Sequence, residues 1–325
     1  MIALVTGSNG FLGSHLVEGL LAKGYDVFCL VRRTSDLKWL RGLPVRFVYG
    51  DVTSPESLRH AVAGKEYVFH AAGVVKGTSQ WAFDRVNFHG TANLLMACWK
   101  CDPGLRRFVL ISSLSAGGPS ENRRPLVEVD PAKPVSRYGA SKLKGEQEAR
   151  KFMTRLPVTI VRPPVIFGPR DHGMQPFFKM LKKGIVVLLA GERLTNFVYV
   201  KDVVAGTILA AERERAIGQT YYVGAKRAYA WREFVEAAAG VMGVHPLVIS
   251  VPSAGARLLG AVNTLAGALT GRARFLDWQK AREMVQSYWL CDISKAEREL
   301  GYSPSYSLAE ALGETIEWYE NQGWI

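Results

Sequence analysis

Two residues in the segment Tyr138–Lys142, which reads Tyr-Gly-Ala-Ser-Lys, have the chemistry and spacing of an acid–base pair. A helix would place Tyr138 and Lys142 on one face, because residues four apart lie one above the other. A free tyrosine has a pKa of about 10 and is a poor proton shuttle at neutral pH. A neighbouring ammonium group favours the phenolate and lowers that pKa. We therefore expect Tyr138 to donate a proton to a carbonyl oxygen, or to remove one from an alcohol.

A serine upstream could bind the same substrate oxygen. Ser113 follows the apolar, strand-like run Phe108–Ile111, and its hydroxyl could hold the oxygen while a hydride is transferred. Ser112 and Ser115 are alternatives for this role. A tyrosine and a lysine at this spacing also occur by chance as a surface pair, so the hypothesis depends on what else the chain contains.

The N-terminus contains a glycine pattern typical of a dinucleotide site. Gly7, Gly10 and Gly13 follow the strand-like Ile2–Val5 and open a helix, in a pattern one residue wider than the common one. Such glycines permit a tight turn, close approach of the backbone to a pyrophosphate, and packing of the helix on its strand. The phosphates would then lie at the helix N-terminus. A glycine-rich turn without a ligand is the alternative, and the serine and tyrosine downstream disfavour it. A positively charged nicotinamide would further lower the pKa of Tyr138.

The end of the second predicted strand bears on the choice of cofactor. An NAD site usually has Asp or Glu there, about 20 residues after the glycines, to bind the ribose 2′-hydroxyl. This chain has Val31 followed by Arg32 and Arg33. Two guanidinium groups can pair with a 2′-phosphate, so the sequence favours NADP(H), with NAD(H) as the alternative. Two solvated surface arginines are the other interpretation.

Later strand ends supply further cofactor candidates. Asp51 and Val52 follow the third predicted strand, where they could meet the adenine; Asp51 could equally be a turn residue before a helix. Ala71, Ala72 and Gly73 follow the fourth strand, where small residues let the backbone pass close to a cofactor.

Short apolar runs alternate with helix-period segments through the first half of the chain, which predicts parallel strands with crossover helices. The fold class is therefore α/β, a Rossmann-type doubly wound parallel sheet with a smaller, mainly helical substrate-binding lobe. The predicted dinucleotide-binding domain comprises residues 1–166 and 197–224. The predicted lobe is discontinuous and comprises residues 167–196 and 225–325. The predicted strands are Ile2–Val5, Val27–Val31, Arg46–Tyr49, Tyr67–His70, Phe108–Ile111, Val158–Val161, Phe197–Val200 and Thr220–Val223.

Composition narrows the function classes. The chain of 325 residues carries 41 basic and 29 acidic residues, a net charge of +12, but the basic residues are dispersed and form no recognisable nucleic-acid motif. The charge suits anionic metabolites, and it permits peripheral contact with an anionic membrane. The 4 cysteines are too few and too scattered for a disulfide framework, and no metal site is expected. No secretory signal or membrane span is visible, so a cytoplasmic enzyme is the expectation.

With these motifs in place, the chain resembles the extended short-chain dehydrogenase/reductase family over nearly its whole length. The matching segments are TGSNGFLG, GDV, HAAG, VNFHGT, YGASK and RPPVIFGPRD, and the spacing from Ser113 to Tyr138 also matches. The resemblance implies that Ser113, Tyr138 and Lys142 are catalytic and that Lys142 also binds the nicotinamide ribose. It also implies a homodimer, because family members often dimerise through the helices that contain the segments Asn87–Lys100 and Tyr138–Leu156. Leu94, Leu95 and Trp99 would suit such a contact in this chain. The resemblance further implies cofactor contacts from Gly7, Asn9, Gly10, Phe11, Leu12, Gly13, Asn87 and Pro163.

Departures from the family pattern indicate the branch. Sugar dehydratases carry Asp-Glu after the catalytic Thr, whereas Leu114-Ser115 follow Ser113 here. Nucleotide-sugar enzymes commonly place an Arg before a strand that here begins near Thr195, and only Arg193 is close. The Val31-Arg32 pair and the ISSLSAGGP segment are similar to dihydroflavonol 4-reductase and 3β-hydroxysteroid dehydrogenase relatives, and Val251–Trp289 could line a hydrophobic pocket. We therefore expect an NADP(H)-dependent ketone/alcohol oxidoreductase acting on a hydrophobic substrate. A nucleotide-sugar epimerase and a non-enzymatic NADP-binding sensor are the alternatives.

Overall fold

The computed structural model describes residues 1–101, 104–255 and 278–325. The strands are β1 (Ile2–Thr6), β2 (Asp26–Val31), β3 (Arg46–Tyr49), β4 (Tyr67–His70), β5 (Arg107–Ile111), β6 (Val158–Arg162), β7 (Val165–Phe167), β8 (Ile185–Leu189), β9 (Leu194–Thr195), β10 (Phe197–Tyr199), β11 (Thr220–Tyr222), β12 (Tyr229–Ala230), β13 (Leu247–Val251) and β14 (Tyr288–Trp289). Residues 256–277 lie outside the described residues; they are part of the stretch Val251–Trp289, which was expected to line a hydrophobic pocket.

The α-helices of the described ranges are α1 (Phe11–Ala22), α2 (Arg59–Val62), α3 (Gln80–Asp84), α4 (Thr91–Cys101), α5 (Leu114–Gly117), α6 (Arg137–Phe152), α7 (Gln175–Lys182), α8 (Val200–Glu212), α9 (Trp231–Met242), α10 (Trp278–Met284), α11 (Ser294–Leu300) and α12 (Leu308–Asn321). A π-helical turn, Arg85–Gly90, precedes α4 and contains Asn87. None of these helices is long and apolar enough to cross a lipid bilayer.

The central sheet has seven parallel strands in the order β11-β6-β5-β4-β1-β2-β3. The chain runs outward from β1 through β2 to β3, and then returns to place β4 on the other side of β1. A crevice forms at the carboxyl ends of β1 and β4, because the connections after these strands leave in opposite directions. The predicted Rossmann-type α/β fold is confirmed.

Alternating side chains of the central strands enter two different cores. Ala3 and Val5 of β1 pack in a core with α1 and α8, whereas Leu4 packs in a core with α2, α4 and α6. These strands read as continuous apolar runs because helices cover both faces of the sheet. The helices packed on both faces hold the strands together, so the carboxyl ends of the strands stay aligned around the crevice.

A third core lies outside the central sheet. It is formed by aromatic and aliphatic side chains of α7, α9, α12 and β10, including Phe178, Phe197, Phe234 and Leu312. Small sheets accompany it: β7 pairs with β10, β8 with β13, and β9 lies between β12 and β14. The strand β13 was not expected, because the segment after Ala230 reads as mainly helical. The domain division at residues 166, 196 and 224 stays a prediction.

Candidate active site

The glycine turn after β1 is packed too closely for side chains. Gly7 has a φ of +66°, and a Cβ there would lie 2.7 Å from the backbone of Ala72. A Cβ on Gly13 would lie 2.1 Å from the carbonyl oxygen of Gly7. Helix α1 begins after Gly10, without a side-chain cap and without an acidic residue in its first turn. Its first N–H groups and its positive dipole end suit a phosphate group, so this turn fits a pyrophosphate.

The other predicted residues of this turn contribute in different ways. Phe11 and Leu12 pack their side chains against the third core, which leaves the backbone of this first helical turn for phosphate contacts. Asn9 donates through Nδ2 to the carbonyl oxygen of Asp36 at 3.2 Å. That bond connects the glycine turn to the loop after β2, where Arg32 and Arg33 lie.

A buried histidine anchors the loop that faces the glycine turn. His70 is fully buried, with Nδ1 2.7 Å from Thr6 Oγ1 and Nε2 3.0 Å from Thr91 Oγ1. Burial lowers the pKa of His70 to about 3, with a smaller effect from the charge of Lys142, so the imidazole is neutral at physiological pH. The Ala72 N–H donates to Thr6 Oγ1 at 3.1 Å. This network holds the Ala71–Gly73 segment, and sequence reasoning did not identify it.

Asn87 joins that segment to the tyrosine-bearing helix. Its Oδ1 accepts from the Val74 N–H at 2.9 Å, and its Nδ2 donates to the Val74 carbonyl at 3.0 Å and to Ser141 Oγ at 2.9 Å. A Cβ added to Gly73 would lie 3.2 Å from Asn87 Oδ1 and 3.7 Å from Lys142 Nζ. The structure therefore brings Gly73, Asn87 and Lys142 together.

Helix α6 places Tyr138 against the serine segment. Ser136 caps the helix by accepting from the Gly139 N–H at 3.0 Å. Gly139 has no room for a side chain, since a Cβ would lie 2.2 Å from the carbonyl oxygen of Ser115. This close approach brings the Tyr138 side chain near Ser113, whose interaction with it lowers the pKa of Tyr138. It explains why a glycine follows the tyrosine.

Ser113 and Pro163 meet on the other side of the tyrosine. Ser113 caps the short helix α5 through a bond from the Ser115 N–H at 3.1 Å, and the Leu114 N–H donates to the Pro163 carbonyl at 2.9 Å. Ser112, one alternative for the serine role, is buried and donates to Glu146 Oε1 at 2.5 Å. The geometry therefore favours Ser113 over Ser112.

The electrostatics of the pair differ from the sequence expectation. Burial raises the pKa of Tyr138 to about 12; a hydrogen bond with Ser113 opposes this shift and the charge of Glu283 adds to it. Burial lowers the pKa of Lys142 to about 8, with Glu146 opposing the change. Lys142 Nζ donates to the carbonyl oxygen of Ile111 at 2.5 Å. The predicted lowering of the tyrosine pKa is therefore absent in the protein alone, because burial outweighs the opposing effect, which comes from Ser113 and not from Lys142.

A buried ion pair lies one turn beyond Lys142. Glu146 is fully buried and accepts from Arg162 through both carboxylate oxygens, at 2.8 and 2.6 Å, and from Arg150 at 2.9 Å. Burial alone would raise the pKa of Glu146, but the hydrogen bonds and charge of Arg162 bring it below its usual range. Glu146 was missed, although its spacing of eight from Tyr138 places it on the same helix face.

The cofactor candidates on β2 and β3 lie at the carboxyl edge of the sheet. Arg32 and Arg33 are exposed, and the guanidinium of Arg33 lies 5.0 Å from the centre of the Tyr49 ring. Asp51 Oδ1 accepts from the backbone and the hydroxyl of Thr53, both at 2.8 Å. Asp51 thus has the turn role that was one of its two interpretations. Val52 is buried, and its carbonyl accepts from Asn93 at 2.9 Å.

A carboxylate from α10 also reaches this region. Glu283 Oε1 accepts from Ser136 Oγ at 2.6 Å. Sequence reasoning could not identify it, since 147 positions separate the two residues and no motif surrounds Glu283.

Arg193, the residue considered for diphosphate binding, is engaged elsewhere. Its guanidinium donates to the carbonyls of Val285 and Gln286 at 2.7 and 3.0 Å and to Ser253 Oγ at 2.8 Å. These bonds connect the β8–β9 loop to the segment after α10. The geometry thus uses Arg193 to hold backbone together.

The sequence of residues 3–224 matches the NAD dependent epimerase/dehydratase family. The chain is 31% identical to the ceramide reductase of Caulobacter vibrioides, an alignment that covers 100% of this chain and 96% of that protein. It is 32% identical to sterol demethylase protein B of Methylococcus capsulatus, with 100% of each covered.

Among solved structures, the fold is similar to a dTDP-glucose 4,6-dehydratase from Streptomyces venezuelae with NAD and TYD bound. The TM-score is 0.81 at 28% identity, and the match covers 100% of this chain and 98% of that one.

Proposed function

The chain belongs to the NAD dependent epimerase/dehydratase family and is an NAD(P)-dependent oxidoreductase, and from that premise we propose that it interconverts a ketone and a secondary alcohol on a hydrophobic, lipid-like substrate, with NADP(H) preferred. The observation that carries the proposal is the packing of Tyr138 close to Ser113, with Lys142 one turn further along α6 and next to the segment that faces the glycine turn. The residues of that turn fit a dinucleotide, and we assign the cofactor contacts to the residues named above.

A bound nicotinamide supplies or accepts the hydride. The hydroxyl groups of Ser113 and Tyr138 hold the substrate oxygen, and Tyr138 donates its proton to that oxygen as the alcohol forms. A tyrosine with a pKa of about 12 is protonated at neutral pH, which suits reduction of a ketone. Lys142 supplies positive charge beside the cofactor ribose and the tyrosine.

Two observations support a hydrophobic substrate over a nucleotide sugar. The relatives with about a third identity are named for ceramide and sterol chemistry. Arg193, the residue considered for a diphosphate, donates to backbone carbonyls and to Ser253 instead. An epimerase would need another cation for its diphosphate, and a sensor would not need the paired hydroxyls.

The reaction is tested by loss of NADPH absorbance with a panel of keto-lipids and sterol ketones, using wild-type protein and Tyr138→Phe. We expect turnover by the wild type and a loss of about 10²- to 10⁴-fold in kcat for the variant, the usual contribution of a general acid. Full activity of Tyr138→Phe would overturn the mechanism. Conversion of a UDP-sugar without net use of NADPH would favour the epimerase.

The NADP preference rests on Arg32 and Arg33, which are exposed at the carboxyl end of β2 where a ribose 2′-phosphate would lie. The test compares kcat/KM for NADPH and NADH in the wild type and in the double variant Arg32→Ala/Arg33→Ala. The variant is expected to lose the preference while its kcat/KM for NADH changes little. An unchanged ratio would contradict the assignment.

The proposal also includes contact with a membrane surface through the outer face of the β8–β13 pair. Ile185, Val187, Leu247 and Ile249 lie side by side in register and are 47%, 46%, 64% and 42% exposed. The lysines at the end of α7, next to the start of β8, add charge complementary to anionic headgroups: Lys179, Lys182 and Lys183. An apolar patch with a basic edge is suited to an anionic bilayer surface.

Sedimentation with phosphatidylcholine vesicles, with and without phosphatidylglycerol, tests that contact. Binding that needs the anionic lipid and is lost in Val187→Ser/Leu247→Ser supports it. Equal binding by that variant, or a patch that instead joins two copies in size-exclusion chromatography, would contradict it.

The proposal includes a homodimer formed through α4 and α6, but its contact residues differ from those expected from the sequence. Leu94 and Leu95 are fully buried within the chain and cannot form the interface, whereas Met96 and Trp99 are 38% and 43% exposed. Trp99→Glu is expected to convert a dimer to a monomer in light scattering. A monomeric wild type would contradict the assignment.

A further inference from the structure

The loop between β2 and β3 carries a tryptophan that the reaction proposed above does not use. Trp39 is partly buried, and the next residue, Leu40, is buried in the core that β1 forms with α1 and α8. Arg32 and Arg33, at the start of the same loop, are exposed. Leu40 therefore holds the loop against the sheet, while Trp39 contacts a different part of the molecule.

The Trp39 ring packs against two rings from the end of α12 and the segment after it. Its centre lies 5.4 Å from that of Trp318 and 6.5 Å from that of Trp324, and the last two rings are 4.8 Å apart with their planes at 82°. Aromatic rings at such distances attract one another in addition to burying apolar area. We call these three side chains the tryptophan cluster. Because Trp318 and Trp324 also pack against the third core, the cluster connects that core to the loop after β2.

Trp324 is itself held from two sides. The ring of His172 is stacked on it, with centres 4.2 Å apart and planes at 27°. Its carbonyl accepts from Gln175 Nε2 at 3.2 Å, and its N–H donates to the carbonyl of Tyr319 at 2.7 Å. The cluster therefore has a fixed partner on the side opposite the loop.

A cation from the segment after β7 connects the cluster to α1, the helix that the glycine turn opens. The Arg170 guanidinium lies 5.2 Å from the centre of the Trp39 ring, within cation–π distance, and donates to Ser14 Oγ at 3.1 Å and to Glu18 Oε1 at 2.6 Å. Arg170 has a φ of +71°, which residues with a Cβ rarely adopt. Such a conformation persists only where surrounding contacts hold it. Arg170 thus connects Trp39 to the helix that is expected to meet the pyrophosphate.

Hydrogen bonds within the loop connect Trp39 to the arginines. The Arg32 N–H donates to Ser35 Oγ at 3.1 Å, and the Ser35 N–H donates back to the Arg32 carbonyl at 3.0 Å. The next residue, Asp36, accepts from Asn9 of the glycine turn through its carbonyl oxygen at 3.2 Å. Only a short, hydrogen-bonded stretch therefore separates Trp39 from the backbone that carries the guanidinium groups.

We propose that Trp39 is a positioning residue for NADP(H): the tryptophan cluster holds the loop after β2 so that Arg32 and Arg33 meet the ribose 2′-phosphate. The inference rests on the NADP(H) preference proposed above and assigns the part of the fold that maintains it. Binding to a loop already held in its bound conformation costs less conformational entropy than binding to one that must first be ordered. Loss of the cluster therefore weakens binding of NADPH more than binding of NADH, which has no 2′-phosphate.

The experiment measures the Kd of NADPH and of NADH by isothermal titration calorimetry for the wild type, Trp39→Ala, Trp39→Phe and Trp324→Ala. Trp39→Ala is expected to raise the Kd of NADPH about tenfold, the effect of having to order flexible side chains on binding, and to change the Kd of NADH little. Trp324→Ala is expected to shift the ratio of the two Kd values in the same direction. Trp39→Phe keeps an aromatic ring and should retain most of the preference.

A double-mutant cycle separates positioning of the arginines from a general structural role. Trp39→Ala is introduced into the Arg32→Ala/Arg33→Ala protein, and the Kd of NADPH is measured again. If Trp39 acts through the arginines, its loss has no further effect once they are absent, so the two changes are not additive. A full, additive effect of Trp39→Ala in that protein would overturn the inference.

Trp81→Ala, which removes a tryptophan of α3 that is 62% exposed, is the matched control and should leave both Kd values unchanged. Thermal unfolding identifies any variant that fails to fold, and Trp324→Ala tests the same cluster if Trp39→Ala does not fold. Equal weakening of NADPH and NADH binding, or no change in either, would overturn the inference and leave the NADP(H) preference intact. A wild type that binds both cofactors equally would overturn both.

Discussion

Helix α6 has a carboxylate near each of its two functional residues, and the two carboxylates differ in surroundings. Glu146, one turn after Lys142, is fully buried and accepts hydrogen bonds from Ser112, Arg150 and Arg162. Glu283 comes from α10, is partly exposed, and accepts from Ser136 beside Tyr138.

The difference shows how burial and hydrogen bonding assign roles to one chemical group. A buried carboxylate surrounded by donors holds its neighbours in place, because losing it leaves a buried guanidinium without its counter-charge. A partly exposed carboxylate that accepts from an N-cap side chain instead connects its own helix to the N-terminus of another. Glu146 therefore belongs to the scaffold beneath Lys142, and Glu283 connects α10 to the start of α6.

The largest effect that would test this comparison is on folding stability. Glu146→Ala leaves Arg162 buried with an unpaired charge, so the free energy of unfolding is expected to fall by about 3–5 kcal/mol. Urea unfolding of the two proteins measures the change. Glu148→Ala, on the same helix, removes a pair with the exposed Lys151 and should lose less than about 1 kcal/mol. Similar losses in both variants would refute a scaffold role specific to Glu146.

A smaller effect is expected on the affinity for NADPH as the pH rises. Lys142 has a pKa of about 8 in the cofactor-free protein, so its ammonium group is charged below that pH and loses its proton above it. If Lys142 binds the cofactor ribose, the Kd for NADPH rises above pH 8, by at most about tenfold for each pH unit because one proton is involved. Tyr138 contributes no step there, since its pKa is about 12. Fluorescence titration from neutral to alkaline pH measures the Kd, with Lys142→Met expected to show no break; a break in that variant would contradict the assignment to Lys142.

The smallest effect is expected from Ser136, the N-cap residue of α6, which also donates to Glu283. Ser136→Ala removes the N-cap of α6 and the donor to Glu283, and the free energy of unfolding is expected to fall by about 1 kcal/mol. Thermal or urea unfolding measures this, and Ser136→Thr, which keeps the hydroxyl, should retain most of the stability. If threonine is as damaging as alanine, the hydroxyl is not what stabilises this end of the helix.

Much of the central sheet could be predicted because its information is local. Runs such as Tyr67–His70 are buried on both faces and therefore apolar throughout, and the strands match the predicted ones to within one or two residues. The β13 strand was missed because the chain after Ala230 reads as mainly helical, although Leu247–Val251 is rich in β-branched residues and pairs with β8. The dimer contact was wrong for Leu94 and Leu95, because apolar residues on a helix do not reveal whether they face the core or a partner.

The sequence by itself determined the parallel sheet, the glycine turn and the spacing of Ser113, Tyr138 and Lys142, because close approach and helical periodicity demand particular residue types at fixed positions. Only the tertiary structure decided the protonation chemistry and the neighbours of that site. The pKa of Tyr138 rises because burial outweighs the opposing effect of Ser113, Arg193 donates to backbone carbonyls, and Glu283 accepts from Ser136 because α10 packs there. Such contacts join residues far apart in the chain, and they depend on how the elements pack, which no local pattern encodes.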